Sequence, residues 1–338
     1  MTMQDLLPLI AILSSLGVTL MLTGYVRGVL LKHKILDQPN ARSSHTIAVP
    51  RGGGWAFLPT LIAALLAPLA ITAIAPMHPY LLTGLILLAL ISWVDDRFDI
   101  SARIRLCLHF AAVIVALCDL PNHGLIFAGM IPAWIDHILV VVGWVWFINL
   151  YNFMDGIDGI TGVETISLAV GLCLLGDATG VLSTSDHTIF LLLIGGCLGF
   201  LAYNWHPAKI FMGDIGSIPL GFLTGFGLLS LASNGHLVAA IILPLYYLAD
   251  SGITIAKRAL RREKIWQAHR QHFYQRATTG CGRHDNVTMR IAAANLFLIV
   301  LSVWSLNQPF GALLAALIVV ALLLFWMHTK SKQQAAST

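Results

Sequence analysis

The sequence predicts an all-α, polytopic integral membrane protein of about eleven transmembrane helices, with its N-terminus outside and its C-terminus cytoplasmic. Three observations predict it. The 338 residues are 57% hydrophobic and only 11% charged, against roughly 25% charged in soluble domains. Mean hydropathy is +0.81, and several apolar runs reach the roughly 20 residues that carry a helix across a bilayer. Those runs are continuous rather than alternating, which excludes a transmembrane barrel.

Hydropathy places spans near 5–26, 54–75, 80–94, 106–118, 136–154, 161–176, 188–204, 215–232, 236–256, 290–305 and 309–327. With residue 1 outside, all 20 Lys and Arg fall in or beside the inner segments 27–53, 95–105, 155–160, 205–214, 257–289 and 328–338. The short outer loops hold none, and this positive-inside pattern sets the orientation. The first run, Leu6 to Val26, reads as a retained span. It is too long for a signal peptide, and its basic residues follow it. The formal charge of +4 therefore speaks to topology and the membrane surface, and no nucleic-acid partner is expected. Residues 1–330 read as one transmembrane catalytic domain and 331–338 as a polar, disordered tail. The cysteines show no CxxC pairing and receive no function. On the outer side Asp5, Asp119, Asp136, Asp177 and Asp186 read as solvated loop charges.

The inner side carries the chemistry. Arg51-Gly-Gly-Gly54 precedes a span, and its amides are suited to an anion-binding concavity, or else to a plain flexible loop. Asp95-Asp96 closes the third span; adjacent carboxylates there need a cation or a proton, or pairing with Arg97. Asn149-x-x-Asn152-x-x-Asp155-Gly-x-Asp158-Gly follows a long apolar run. Asparagines at helical spacing point a polar strip into the membrane, where it should face protein or a wet cavity. On a continuing helix Asp155 and Asp158 share a face; the glycines equally allow a loosened end. Next, Asn204 leads through Lys209, a candidate phosphate partner, to Phe211-Met-Gly-Asp214-x-Gly-Ser217, where glycines bracket the carboxylate. The longest inner segment contains His269-Arg270-x-His272, suited to a pyrophosphate or to anionic membrane lipid. No cysteine pair or partner histidine has zinc-site spacing for that segment.

In this order the motifs resemble those of the polyprenyl-phosphate N-acetylhexosamine-1-phosphate transferases, over roughly residues 27–290. His269-Arg-Gln-His272 departs from the three consecutive histidines of the cell-wall branch, which makes the muramoyl-pentapeptide substrate the lesser expectation. It is more similar to the O-antigen-initiating branch. The resemblance implies attack of a polyprenyl (undecaprenyl) phosphate on the β-phosphorus of a UDP-N-acetylhexosamine, releasing UMP, at the inner face of a bacterial inner membrane. It implies Mg²⁺, with Mn²⁺ as a substitute, and is compatible with a homodimer. The expected catalytic residues are Asp95, Asp96 and Asp214. Asp214 is the expected metal ligand, with Asp95, Asp96 or Asp155 as partners, and Asp95 the group that orients or deprotonates the lipid phosphate. Asn152, Asp158 and Asn204 are expected at the nucleoside, and Arg51, Lys209, His269, Arg270 and His272 at phosphates or sugar. A two-step route through an aspartyl-phosphate is the alternative chemistry. A transporter is the rival class, weakened because no repeat is visible and the acidic groups crowd the inner ends of the spans.

Overall fold

The computed structural model describes residues 3–39, 47–62, 65–66, 78–98, 100–127, 129–264, 267 and 269–335. In chain order its helices are α1 (Met3–Lys32), α2 (Pro79–Phe98), α3 (Ala102–Ala116), α4 (Ala133–Phe153), α5 (Ile160–Thr179) and α6 (Thr184–Asn204). They continue with α7 (Asp214–Ser233), α8 (Leu237–Ile242), α9 (Leu245–Leu260), α10 (Phe273–Cys281), α11 (His284–Trp304) and α12 (Pro309–Ala335). After α1 a two-residue ribbon pairs β1 (Leu36–Asp37) antiparallel with β2 (Val49–Pro50). The expected all-α architecture is the one observed.

Among the described residues eight helices are long and apolar enough to cross a membrane: α1, α2, α4, α5, α6, α7, α11 and α12. The other three expected spans differ in form. Much of 54–75 lies outside the described residues. The run 106–118 belongs to α3, which is only 15 residues long and starts early because the Ser101 side chain accepts from the Ile104 amide. The run 236–256 breaks at Leu243–Pro244 into α8 and α9, where proline has no amide to donate to the preceding turn. At the other end, α12 continues to Ala335, into the tail expected to be disordered, while 336–338 lie outside the described residues.

Helix α7 is the axis of the bundle. Nearly all its side chains are buried, with α2, α4, α5, α8 and the 3₁₀ turn Gly53–Ala56 packed around it. Small residues make that possible, since lipid tails give apolar helices no reason to associate beyond close packing. A Cβ at Gly225 would meet Trp144 Nε1 at 2.6 Å, and one at Gly221 would meet Tyr151 Cβ at 2.7 Å. Into the space so left, Trp144 of α4 stacks on Phe222 with centroids 5.0 Å apart and donates to the Phe222 carbonyl at 3.1 Å.

Three of the outer aspartates correct the expectation of solvated loop charges. Asp136 is buried and accepts from the amides of Ile126 and Phe127 at 3.2 and 2.7 Å. Asp119 accepts from the Leu81 amide at 2.6 Å, at the start of α2. Asp186 closes a capping box with Ser183 and meets His78 Nε2 at 3.1 Å. The loops at this end are short, so unpaired amides of helix starts and of the loops themselves lie within reach of these carboxylates. Asp177 stays exposed and pairs with His187.

At the inner end Gly54 touches the first turn of α7: a Cβ there would lie 2.4 Å from the Gly216 nitrogen and 2.5 Å from its Cα. Backbone cannot yield as a side chain can, and overpacking of this kind costs roughly 1–3 kcal/mol. Gly54→Ala should therefore lower the apparent melting temperature in detergent by several degrees. Gly28→Ala in α1, which meets nothing within 4 Å, should leave it within a degree or two.

Candidate active site

The predicted inner-face residues gather in three groups, each assembled from distant stretches of chain. The first centres on Asp214, the first residue of α7, which follows Gly213 at φ 74°. The segment before it pairs with the glycine run: Gly53 N donates to Phe211 O at 2.8 Å and Gly54 N to Met212 O at 2.9 Å, while Phe211 N donates to Pro50 O at 2.8 Å. The glycine amides expected to cradle an anion are thus occupied by backbone carbonyls. Their glycines serve close approach instead, and the approach carries Arg51 onto its target. Arg51 Nη2 donates to Asp214 Oδ1 at 2.6 Å.

Two further residues fix that carboxylate. Asn152, in the last turn of α4, donates from Nδ2 to Asp214 Oδ1 at 3.2 Å and to Ser217 Oγ at 2.9 Å. Arg105 of α3 donates to Asp95 Oδ2 at 2.6 Å and stands 4.0 Å from Asp214 Oδ2. Asp95 also accepts the Ile100 amide at 2.9 Å, and the neighbouring Asp96 is exposed with Asp214, Arg51 and Asp95 as charged neighbours. The Arg97 side chain lies outside the described residues. Asp95 is therefore compensated by Arg105, and Arg51 offsets the charge of Asp96. Carboxylate and amide oxygens at this end of α2, α4 and α7 form a donor set suited to a hard cation such as Mg²⁺. Among the described residues Asp95, Asp96, Asp155 and Asp214 do not come together as three ligands of one ion; two guanidinium groups stand between them.

Helix α4 ends at Phe153, so Asp155 and Asp158 lie in a loop and diverge. Asp155 accepts from Thr161 Oγ1 at 2.6 Å. Upstream, Asn149 faces protein, as a membrane-embedded amide should: its Nδ2 donates to Val145 O at 2.7 Å and lies 3.3 Å from His109 Nδ1. Asp158 heads the second group. Its Oδ2 lies 2.6 Å from His206 Nδ1 and accepts the Ala208 amide at 3.1 Å, and its Oδ1 lies 3.1 Å from His284 Nδ1. Burial works against this carboxylate's charge, yet His284, His206 and the Ala208 amide hold it below the usual carboxylate range. Asn204 completes the region as a clasp: its Oδ1 accepts the Gly159 amide at 3.0 Å and its Nδ2 donates to Ile210 O at 2.9 Å. Lys209, in the same loop, is exposed.

The third group hangs from Asp250 of α9, a fully buried carboxylate. It lies 3.1 Å from His272 Nδ1 and accepts the amides of Phe273 and Tyr274 at 3.0 and 3.1 Å, so it caps α10 from another helix. Tyr274 then donates to Phe153 O at 3.1 Å, tying α10 to the end of α4. His269 stacks on His272 with centroids 4.8 Å apart. Burial, reinforced by the charges of His272 and Arg258, pulls His269 down to about 4. At neutral pH it is therefore a neutral, hydrogen-bonding imidazole and not a cation. Arg270 donates to Thr279 Oγ1 at 3.3 Å and lines a cavity of about 310 Å³ with Phe211, Asp158, His206 and His284.

Four residues of this architecture had no assigned role in the sequence: Arg105, His206, Asp250 and His284. Asp250 had a visible signal, a carboxylate inside an apolar run. The others reach their partners across folds of 10 to 126 residues, which no local spacing announces. Burial pushes the half-buried Asp155 up to about 6, opposed by the Thr161 hydroxyl and Arg51 and assisted by Asp214. The folded chain thus holds that proton more tightly than the unfolded chain does. The stability it contributes is present at low pH and is lost as pH rises from about 4, the ordinary aspartate value, to about 6. Melting curves in detergent should show the parent losing stability over that window, and Asp155→Asn should flatten the slope.

Comparison with known proteins bears on the same residues. The sequence model of glycosyl transferase family 4 matches residues 78–233. A probable undecaprenyl-phosphate N-acetylglucosaminyl 1-phosphate transferase of Bacillus subtilis is 29% identical over 283 residues, 79% of this chain and 76% of that protein. A decaprenyl-phosphate N-acetylglucosaminephosphotransferase of Mycolicibacterium smegmatis is 31% identical over 232 residues, 62% of this chain and 56% of that protein. A phospho-N-acetylmuramoyl-pentapeptide-transferase of Desulforamulus reducens is 37% identical over 107 residues, about a third of each, 32% and 31%. The family match encloses Asp95, Asp96, Asn152, Asp155, Asp158, Asn204 and Asp214, and that match together with the two N-acetylglucosamine-1-phosphate transferases supports the polyprenyl-phosphate N-acetylhexosamine-1-phosphate transferase family for this chain.

Proposed function

We propose that the protein transfers an N-acetylhexosamine-1-phosphate from a UDP-sugar to undecaprenyl phosphate, releasing UMP, on the cytoplasmic face of a bacterial inner membrane. The product would start a lipid-linked O-antigen or related envelope polysaccharide. The observation that carries this reading is the meeting of Asp95, Asp96 and Asp214 with Arg51 and Arg105 at one end of apolar helices. A lipid phosphate rides at that depth, and phosphoryl transfer asks of a protein chiefly charge neutralisation and in-line positioning.

In the proposed reaction an oxygen of the lipid phosphate attacks the β-phosphorus of the donor. The bond from that phosphorus to the bridging oxygen breaks, and UMP leaves with the electron pair. Arg51 and Arg105 neutralise phosphate charge, and Asp95, already held by Arg105, orients the acceptor or takes its proton. Asn152 acts on Asp214 by positioning it. Asp214, with Asp95 and Asp96, would hold Mg²⁺ or Mn²⁺ once Arg51 and Arg105 turn from these carboxylates to the phosphates, and such an ion, when bound, would neutralise the diphosphate. Arg270 and His269, in the loop before α10, would approach the donor's diphosphate or sugar, with the exposed Lys209 a further phosphate partner, while His272, buried against Asp250, positions that loop. The local identity with a muramoyl-pentapeptide transferase keeps that donor in the test, although two histidines stand here where that branch has three.

Purified protein supplied with undecaprenyl phosphate should release UMP from at least one UDP-N-acetylhexosamine of a panel that includes UDP-N-acetylmuramoyl-pentapeptide. Release should stop with a chelator and return with Mg²⁺. No UMP from any donor would end this reading. Asp214→Asn should lower kcat by about 10³-fold or more with an unchanged melting temperature. Near-parent turnover would remove Asp214 from the chemistry.

A further inference from the structure

The three donors around Asp158 sit in a relation that hydrogen bonding alone does not satisfy. His284 Nδ1 lies 3.3 Å from the Asp158 amide, which needs a lone pair there, and 3.1 Å from Asp158 Oδ1, which needs a proton there. An imidazole nitrogen has one in-plane site and offers one or the other. On the other carboxylate oxygen, His206 Nδ1 stands at 2.6 Å. One ligand atom from each of Asp158, His206 and His284 lies within 4.8 Å of the other two, and the two rings are 5.0 Å apart by centroid. A tetrahedral shell with bonds of roughly 2.0–2.2 Å spaces its ligand atoms about 3.3 Å apart. Adjustments on the scale of a side-chain torsion separate the observed positions from that shell.

We infer that Asp158, His206 and His284 form a binding site for a transition-metal dication of the zinc class, separate from the carboxylate group at Asp214. Two imidazoles and one carboxylate suit Zn²⁺, Co²⁺ or Ni²⁺, whereas Mg²⁺ prefers an all-oxygen shell. The donors come from the loop after α4, the loop before α7 and the first residue of α11, so a bound ion would staple three inner-face segments. Three protein ligands leave a fourth position, and the adjoining cavity of about 310 Å³, lined also by Arg270 and Phe211, gives it solvent access. The inference does not depend on which sugar, or whether any sugar, is transferred.

The test is metal titration of the full-length protein in detergent, purified on a tag without histidine and stripped with a chelator. Co²⁺ should bind at about one equivalent per chain, with the intense visible d–d bands of tetrahedral coordination, resist excess Mg²⁺ and yield to Zn²⁺. His206→Ala and His284→Ala should each weaken binding by more than about 100-fold, beyond the 10–100-fold typical of losing an outer-shell partner. His269→Ala should leave it unchanged. Where an alanine variant fails to fold, His206→Gln and His284→Gln replace it, and the parent titration by itself decides whether a site exists. No Co²⁺ or Zn²⁺ on the parent would show a hydrogen-bonded clasp and overturn the inference. So would binding that survives both histidine substitutions.

Discussion

The approach of two glycine-containing backbones, Gly52–Gly54 and Met212–Gly216, is the contact on which the rest of the inner face depends. It binds the start of the central helix to the segment after α1 through amide–carbonyl bonds. In apolar surroundings such bonds are costly to leave unmade. Because the two strands of chain touch without side chains between them, Arg51 and Asp214 are delivered to each other at 2.6 Å. The neighbouring polar groups are then arranged around that pair: Asn152 from α4, Arg105 from α3, and Asp95 and Asp96 from α2. A bundle of greasy helices thereby holds an acidic and basic cluster at one end, with guanidinium groups set against the carboxylates.

The same economy of anchoring recurs elsewhere. Asp250 is the clearest case, a buried carboxylate that organises the start of α10 and one histidine while itself lying inside another helix. On the opposite side Asp119 and Asp186 do equivalent work for helix starts, and Asp136 does it for the loop at Ile126 and Phe127. Acidic residues in this protein therefore divide by task more than by sidedness. Some gather with guanidinium groups at one end of the bundle, and others fasten loops.

The architecture was legible in the sequence because a bilayer imposes length and composition on helices, and basic residues mark one side. Asp95, Asp96, Asn152 and Asp214 were legible for a related reason: polar groups at the end of a long apolar run must have a compensating purpose. What could not be read was partnership. Asp158 and Asn204 belong to one motif series with Asp214, yet one turns to two histidines and the other to backbone. Arg105 meets Asp95 from ten residues further along the chain, because α3 packs back against α2. Proline at 244 was visible throughout, but a hydropathy window averages across it and reports one span where the chain makes two helices.

Asn204 has both ends of its amide engaged, one accepting from Gly159 and the other donating to Ile210. Aspartate lacks the donor, glutamine is a methylene too long, and leucine of similar bulk offers neither function. The position is closed to drift, whereas Trp205 beside it is exposed and open to change. Invariance at Asn204 among relatives would therefore testify to a latch between two loops. A reader of alignments, finding it among the acidic motifs, would credit it with touching the nucleotide. In a site assembled from distant loops, a residue that keeps the walls in register can matter as much as one that touches the substrate.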